Sequence, residues 1–281
     1  MRPDLHCHSL FSDGSHEPEF VVDRAVANGI THLALTDHDC INGLTRAFSH
    51  ARGSDLAVIP GVEISSCWER QEIHIVGLLI DPFDTGLTGL LDQQQGKRRS
   101  RIERIAGLMS GRGVEGLSDY MASLGSVAPG RSHVADFLVK RGLCTRRSSA
   151  FRLLGMHGPY YSEAQWCGME QAVAAIQASG GLAVLAHPAA YRLGKQKLRR
   201  LVSDFCDAGG DAMEVCYGNC DAATVNTLAQ LCLEAKLWAS AGSDFHNAAA
   251  TWTDIGKFPR LPAMCEEKAI WLNPGFVSSE H

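Results

Sequence analysis

Two histidines one residue apart open the chain, and a carboxylate follows them closely. Residues 3–8 predict a β-strand, and because strand side chains alternate, His6 and His8 share one face while Cys7 points away. Their imidazoles then lie about 6–7 Å apart, close enough to converge on one metal ion. Asp13 follows within the next loop and offers an oxygen ligand. The spacing predicts a metal site, and the alternative is a purely structural pair of histidines.

Polar side chains also crowd the ends of the next two predicted strands. His38 lies between Asp37 and Asp39, directly after the strand predicted over residues 31–36. We take His38 as a metal ligand, whereas the two aspartates either orient it or cap the following helix. Glu63 ends another apolar run, and a buried charge of this kind needs a partner. That partner is either a bridging metal ion or an arginine.

The remaining candidates follow later strands. His74 lies between isoleucines and, taken alone, would be a core histidine. His187 ends a strand in the motif AHP, and Asp244 and His246 lie two residues apart in GSDFH. Together with the earlier candidates, histidines and carboxylates cluster at the ends of six predicted strands. Mixed nitrogen and oxygen ligands favour a reactive Mn, Fe or Zn site over a structural zinc.

The elements that position these side chains alternate between strands and helices. Apolar strands separated by helical segments predict βαβ units with a parallel sheet, and therefore an α/β fold. Polar residues at the carboxyl ends of such strands are typical of barrel active sites. The predicted strands cover residues 3–8, 31–36, 56–64, 72–80, 181–186, 212–216 and 237–241.

The middle of the chain has a different character. Residues 93–162 show helical patterns and few strand signals, which predicts a small helical insertion into a domain made of residues 1–92 and 163–281. Residues 97–147 hold eleven Lys and Arg against four Asp and Glu, a net charge of +7. The whole chain carries −5, so the remainder carries −12. This basic segment is either a solvated helix face or a phosphate-binding surface.

Composition excludes several classes of protein. With 281 residues, 45% of them hydrophobic and 20% charged, the chain is globular, and it can bury a large core without disulfides. No apolar run approaches the length of a membrane span, and the first residues do not resemble a signal peptide. The ten cysteines form no disulfide framework. We therefore expect reduced thiols and a cytoplasmic protein that does not bind membranes.

These motifs, taken together and in order, resemble the PHP (polymerase and histidinol phosphatase) family. The matching runs are DLHCHSLFSDG, LALTDHD, PGVEIS, IHIVGL, AHP and GSDFH, which span nearly the whole chain. The resemblance implies a distorted (β/α)₇ barrel with a cluster of divalent ions, three by ligand count, most simply Mn²⁺ with Zn or Fe as alternatives. By motif position it implies nine metal ligands: His6, His8, Asp13, His38, Glu63, His74, His187, Asp244 and His246.

The resemblance also implies how the ligands divide among the ions. One ion would be bound by the histidines of the first strand with Glu63 and Asp244, and a second by Asp13, His38 and His246. A third would be bound by His74 and His187, with Glu63 as the bridge. The implied reaction is phosphomonoester hydrolysis, in which a hydroxide bridging two ions is the nucleophile.

No side chain is singled out as a covalent nucleophile in this reaction. His38 and His246 are candidate proton donors to the leaving oxygen. Cys7, although it adjoins two of the ligands, is then a bystander.

The middle segment narrows the resemblance to one group of members within the family. The runs KRRSRIERI and PGRSHVADFLVKRG resemble stand-alone bacterial members that remove the 3′-phosphate from nucleoside 3′,5′-bisphosphates. For the role of binding the 5′-phosphate, helix phase leaves Arg98, Arg101 and Arg104 open as substitutes for Arg99. Ser132 departs from the family's pattern, which has a proline at this position. Arginine forks match phosphate oxygens. The candidates for the 5′-phosphate are Arg99, Ser100, Arg131 and His133.

Several other functions are compatible with the same motifs. A 5′→3′ exoribonuclease acting on short 5′-phosphorylated RNA and a histidinol-phosphate phosphatase would use the same ions. An amidohydrolase shares the HxH opening, and a non-catalytic metal-binding module would keep the ligands without turnover. We expect a small nucleotide as the partner, with short RNA ends as the alternative and no obligate protein partner.

Overall fold

Eight apolar runs form strands in the computed structural model, which describes residues 1–277. The seven longer strands are each buried along most of their length, as expected of strands covered on both faces. The strands are β1 (Pro3–Cys7), β2 (His32–Leu35), β3 (Ala57–Trp68), β4 (Gln71–Leu78), β5 (Cys167–Gly168), β6 (Leu182–Leu185), β7 (Ala212–Tyr217) and β8 (Trp238–Gly242).

Seven of these strands pair in the order β1-β2-β3-β4-β6-β7-β8, and the short β5 pairs with β3 outside this ring. The ring closes where the chain leaves β8, because Cys7 pairs with Phe245 and the Asp244 amide donates a 2.8 Å hydrogen bond to the His6 carbonyl. Gly242 permits this close approach, since a Cβ there would lie 2.5 Å from the Cβ of His6. The predicted distorted seven-stranded barrel is confirmed.

One part of the barrel departs from the predicted parallel pattern. β3 and β4 are antiparallel partners joined by Glu69 and Arg70 alone, and β4 is also antiparallel to β6. A two-residue connection is too short for the crossover that parallel strands require. The hairpin reverses the chain, so His74 near the start of β4 lies beside Ser65 on β3. The antiparallel pair is therefore what brings His74 to the same end of the barrel as the other candidate ligands.

Helices pack against the outside of the barrel, and further helices form the middle segment. In α7, for example, Met169, Ala172, Val173 and Ile176 form the buried face at helical spacing. The helices are α1 (Pro18–Ala27), α2 (Leu44–Ala51), α3 (Thr85–Ser110), α4 (Leu117–Ser123), α5 (Arg131–Lys140), α6 (Arg147–Leu154), α7 (Met169–Ala178), α8 (Lys195–Asp207), α9 (Ala222–Glu234) and α10 (Pro274–Val277). Among these described helices, none is long and apolar enough to cross a membrane.

Helix α3 belongs to two hydrophobic cores. Leu87, Leu90 and Leu91 in its first half pack into the barrel core, whereas Ile102 and Ile105 in its second half pack with α4, α5 and α6. The boundary predicted at residue 93 therefore lies inside one continuous helix. A division into a barrel and an inserted helical unit remains a prediction, although the middle segment has a small core of its own.

Candidate metal centre

The nine side chains that the sequence singled out as metal ligands converge at one end of the barrel. They lie at or just beyond the carboxyl ends of the parallel strands, or on the paired β3–β4 hairpin. Their donor atoms form four overlapping groups, and within each group these atoms lie within 4.8 Å of one another. The groups are His8, Asp13, His38 and His246; His6, Glu63 and His187; His6, His8 and Asp244; and His38, Glu63 and His74.

Glu63 is the centre of this arrangement. Its Oε1 lies 2.8 Å from His74 Nδ1 and 2.8 Å from His187 Nε2. Its Oε2 lies 3.2 Å from His6 Nε2 and 3.3 Å from His8 Nε2. Its Oε2 also lies 2.9 Å from His38 Nδ1. One fully buried carboxylate thus faces five imidazoles, which is the geometry expected of a ligand shared between ions.

The second half of the centre forms around two aspartates. Asp13 Oδ1 lies 3.1 Å from His246 Nε2 and 3.7 Å from His38 Nε2. Asp244 Oδ1 lies 3.3 Å from His8 Nε2. His8 joins both halves, so the expected partition of the ligands among separate ions remains a prediction.

The electrostatics of the cluster suit cation binding. Burial would raise the pKa of Glu63, but His38 and His6 outweigh burial and hold this pKa well below its usual value. Burial, reinforced by His246, lowers the pKa of His8 to about 3, so its imidazole is neutral as a ligand must be. For His246, burial is outweighed by Asp13 and Asp244, which raise its pKa to about 10. A divalent cation would replace the proton that these carboxylates attract.

Several buried polar atoms of the cluster lack a hydrogen-bonding partner among the described residues and are suited to bind a cation. Across residues 1–277, the buried polar atoms without a hydrogen-bonding partner include Asp13 Oδ1, Glu63 Oε2, His38 Nδ1 and His187 Nδ1. Unsatisfied buried polar atoms are costly unless an ion or water completes them. Six imidazoles and three carboxylates are donors suited to Mn, Fe or Zn. The residues present therefore fit a cluster of divalent cations.

The backbone is held in unusual conformations beside the ligands. Asp39, His187 and Asp244 have φ values of +46°, +30° and +52°, in the left-handed region that side chains other than glycine rarely adopt. Such conformations persist only where surrounding contacts determine them, and they concentrate at functional sites. Three of them around one cluster mark this end of the barrel as specialised.

Glu214 orients two of the candidate ligands, and sequence reasoning missed it. Its Oε1 lies 2.8 Å from His6 Nδ1, and its Oε2 accepts a 2.6 Å hydrogen bond from the His187 amide. A carboxylate on the far ring nitrogen fixes the tautomer, so His6 Nε2 faces the cluster. The available signal was a glutamate inside the apolar strand β7, the same pattern that pointed to Glu63.

Replacing Glu214 with Gln is expected to weaken Mn²⁺ binding about 10- to 100-fold, because His6 loses the carboxylate that orients and polarises it. Equilibrium dialysis with Mn²⁺ measures this loss. Glu234→Gln, which removes an exposed carboxylate from α9, is the control. Unchanged Mn²⁺ affinity in Glu214→Gln would refute the orienting role.

A cavity opens directly beside the cluster and is bordered by the basic middle segment. The guanidinium groups of Arg98 and Arg101 lie over the Trp166 ring, 5.1 and 5.5 Å from its centroid. The indole Nε1 of Trp166 is buried. The cavity is lined by Asp13, His38, Ser65, Glu72, His74, Arg98, Arg101, Ile102, Pro129, Gly130, Arg131, Ser132, Phe151 and Trp166.

The four predicted phosphate-binding residues do not all line the cavity. Arg131 lines the cavity, whereas Arg99 and Ser100 lie on the exposed side of α3 and do not line it. His133 is buried, and its Nδ1 accepts a 3.0 Å hydrogen bond from the Gly130 amide.

Helix geometry explains why the cavity side of α3 carries other arginines. Arg98 and Arg101 are three residues apart and share one face, which excludes their neighbours Arg99 and Ser100. These two arginines are buried and border the cavity. The sequence had left them open only as substitutes for Arg99.

Glu72 also lines the cavity, and the sequence did not single it out. Its Oε2 lies 3.1 Å from Arg131 Nη2, and its Oε1 lies 3.5 Å from Arg101 Nη1. Burial would raise the pKa of Glu72, but Arg131 and Arg101 outweigh it and lower this pKa to about 2. The carboxylate is therefore ionised, and it holds both arginines at the cavity wall.

Comparison with known proteins places this geometry in a family. The PHP domain matches residues 4–120. A 5′-3′ exoribonuclease, Rnm, of Escherichia coli (strain K12) is 40% identical over 95% of this chain and 92% of its own length. A 3′,5′-nucleoside bisphosphate phosphatase of Chromobacterium violaceum is 36% identical over 95% of this chain and 94% of its own length.

A solved structure is also similar throughout. It is described as an amidohydrolase from Chromobacterium violaceum with bound sulfate and no metal, and it superposes with a TM-score of 0.90. Its sequence is 36% identical, and the match covers 97% of this chain and 95% of that one. The similarity thus extends over barrel and middle segment alike. The chain belongs to the PHP family of metal-dependent phosphoesterases.

Proposed function

We propose that the protein removes the 3′-phosphate from nucleoside 3′,5′-bisphosphates, giving a nucleoside 5′-monophosphate and phosphate. The observation that carries this proposal is a single cavity with two different walls. Its lining includes Asp13, His38 and His74 of the candidate metal centre, which we take as one wall, and Arg101 and Arg131, which we take as the other. A substrate with two phosphates can place one on each wall.

Two relatives support this reading. The Chromobacterium violaceum phosphatase carries this activity in its name, and the sulfate in the solved structure from the same organism shows that a similar protein binds a tetrahedral dianion. Divalent ions, which we propose to be Mn²⁺, would supply charge neutralisation at the phosphoryl group and a water of lowered pKa. A cytoplasmic location also remains a prediction.

The side chains around the cavity position the substrate. Arg101 and Arg131 are held by Glu72 with their forks at the wall, so little side-chain freedom is lost when they bind the 5′-phosphate. Binding a remote phosphate in this way orients the 3′-phosphate at the ligand cluster and lowers the barrier as well as the KM. We keep His38 and His246 as ligands, because both already face Asp13, and we assign the leaving oxygen's proton to water at the open side of the cavity.

The test is a phosphate-release assay on protein reconstituted with Mn²⁺. We expect kcat/KM for adenosine 3′,5′-bisphosphate to exceed that for histidinol phosphate and for 4-nitrophenyl phosphate by at least about tenfold, since only the first substrate reaches both walls. Equal values for the bisphosphate and histidinol phosphate would overturn the proposal.

A 5′→3′ exoribonuclease is the second candidate, and one surface feature favours it. Phe151 on α6 lines the cavity and is 38% exposed, and Arg147 one turn before it and Arg152 beside it are exposed as well. Exposed arginines around an aromatic ring suit a single strand that continues out of the cavity. The Escherichia coli relative named as an exoribonuclease is also more similar in sequence, at 40% identity.

Replacing both Arg147 and Arg152 with Gln distinguishes the two candidates. If RNA is the substrate, kcat/KM for a 5′-phosphorylated hexaribonucleotide should fall about tenfold, because two exposed phosphate contacts are lost. The value for adenosine 3′,5′-bisphosphate should stay unchanged in the same variant. Arg52→Gln, an exposed arginine that follows α2, is the control. Equal retention of both activities would count against an RNA path along α6.

A further inference from the structure

We propose that Arg98 is a positioning residue for the metal centre: its buried ion pair with Asp39 locks the loop that presents His38. Arg98 comes from the basic segment, where an arginine is most simply taken as a phosphate ligand. Its Nε donates a 2.7 Å hydrogen bond to Asp39 Oδ2, and its Nη2 donates a 2.7 Å hydrogen bond to Ser65 Oγ. Arg98 therefore contacts the chain directly after His38 and two residues after Glu63.

Every polar group of Asp39 is engaged. Its amide donates to the Glu63 carbonyl at 2.8 Å, and its Oδ1 accepts a 2.9 Å hydrogen bond from the Ser65 amide. Its carbonyl accepts a 2.9 Å hydrogen bond from Gln95 Nε2. These contacts surround a residue whose φ is +46°, a strained conformation for an aspartate. The loop after β2 is therefore held between β3, through Glu63 and Ser65, and α3, through Gln95 and Arg98.

A close, buried ion pair distinguishes Arg98 from the other arginines of α3. Arg98 is 6% exposed and Asp39 is fully buried, so the charge of each is neutralised by the other. Removing one member leaves an uncompensated buried charge, which is far more disruptive than losing a surface pair. Arg101 differs because its nearest carboxylate, Glu72, lies 3.5 Å away and is shared with Arg131.

The position of His38 depends on this pair. Its Nδ1 lies 2.9 Å from Glu63 Oε2, and its Nε2 lies 3.7 Å from Asp13 Oδ1, so it faces both halves of the ligand cluster. If the adjacent Asp39 relaxes out of the left-handed region, the His38 ring turns away from one half. We thus infer that Arg98 affects metal binding. This role does not depend on which phosphate ester the enzyme hydrolyses.

The experiment compares Arg98→Gln, Arg98→Lys and the neutral double variant Arg98→Gln/Asp39→Asn. Mn²⁺ affinity is measured by equilibrium dialysis without substrate, and the melting temperature is recorded with and without Mn²⁺. Arg98→Gln should weaken Mn²⁺ binding at least about tenfold, as losses of residues that orient metal ligands do. Arg98→Lys should lose less, because it keeps the charge. The double variant leaves no unpaired buried charge, so it stays folded and should show the same Mn²⁺ loss.

Arg104→Gln is the matched control. It removes the same charge from the same helix, but Arg104 Nε donates to Ser162 Oγ at 3.1 Å and does not touch the His38 loop. Its Mn²⁺ affinity should equal that of the unmodified protein. Two outcomes would overturn the proposal: an equal Mn²⁺ loss in Arg104→Gln, or an Arg98→Gln variant with normal Mn²⁺ affinity and a raised KM. The second outcome would make Arg98 a substrate ligand.

Discussion

Replacing Glu63 with Gln is expected to remove at least one ion from the cluster and to lower kcat on any phosphate ester by about 10³-fold or more. Glu63 is fully buried, and its two oxygens face five imidazoles at 2.8–3.3 Å. An amide of the same size is neutral and has a single oxygen, so it cannot bridge cations as the carboxylate does. Charge stabilisation by metal ions is worth several kcal/mol, and about 1.4 kcal/mol corresponds to a factor of ten in rate.

Metal content and rate together test this expectation. The variant should contain less Mn²⁺ by elemental analysis, and Mn²⁺ should raise its melting temperature less than that of the unmodified protein, since a ligand stabilises only the state that binds it. Glu69→Gln is the control, because Glu69 lies in the same hairpin but pairs at the surface with Lys197. Full Mn²⁺ content and normal turnover in Glu63→Gln would contradict the assignment of this end of the barrel as the metal centre.

Replacing Arg131 with Ala is expected to produce the second-largest effect, and a selective one. kcat/KM for adenosine 3′,5′-bisphosphate should fall about 10- to 100-fold, because a charge-assisted hydrogen bond to the 5′-phosphate contributes about 1.5–3 kcal/mol. 4-Nitrophenyl phosphate has no second phosphate, so its kcat/KM should change by less than about threefold. Part of the bisphosphate loss should be in kcat, since the remote phosphate positions the reacting one.

Arg141→Ala provides the comparison for this variant. Arg141 directly follows the last residue of the same helix, α5, but it is exposed and does not line the cavity. It should behave as the unmodified protein does with both substrates. Equal losses on the bisphosphate and on 4-nitrophenyl phosphate in Arg131→Ala would show that Arg131 supports the cavity as a whole and does not select the 5′-phosphate.

The barrel and its candidate ligands could be predicted from the sequence for specific reasons. His6 and His8 alternate along a strand, so their shared face follows from strand geometry alone. Glu63 is an anion at the end of an apolar run, which implies a buried partner. The structure brings these residues and the six other candidate ligands into overlapping groups, and their assignment to particular ions remains a prediction.

The residues that line the cavity were harder to predict from the sequence. The sequence favoured Arg99 in α3, but Arg98 and Arg101 border the cavity, because a shift of one residue turns a helix by about 100°. Glu72 gave no signal in isolation, whereas Glu214 gave the same signal as Glu63, an acid inside an apolar strand. The role of each depends on a partner from another strand or helix. Glu72 contacts Arg101 and Arg131, and Glu214 contacts His6 across 208 residues of chain.

The sequence alone determined which side chains alternate, where strands end in polar groups, and that a basic segment lies between two acidic parts of the chain. These properties are local, because they follow from the period of each element and the charge of each segment. Only the tertiary structure decided the antiparallel β3–β4 pair, which of the arginines on α3 face the cavity, and the engagement of Arg98 with Asp39. Those features depend on the rotation and register of elements distant along the chain, which packing between the elements determines.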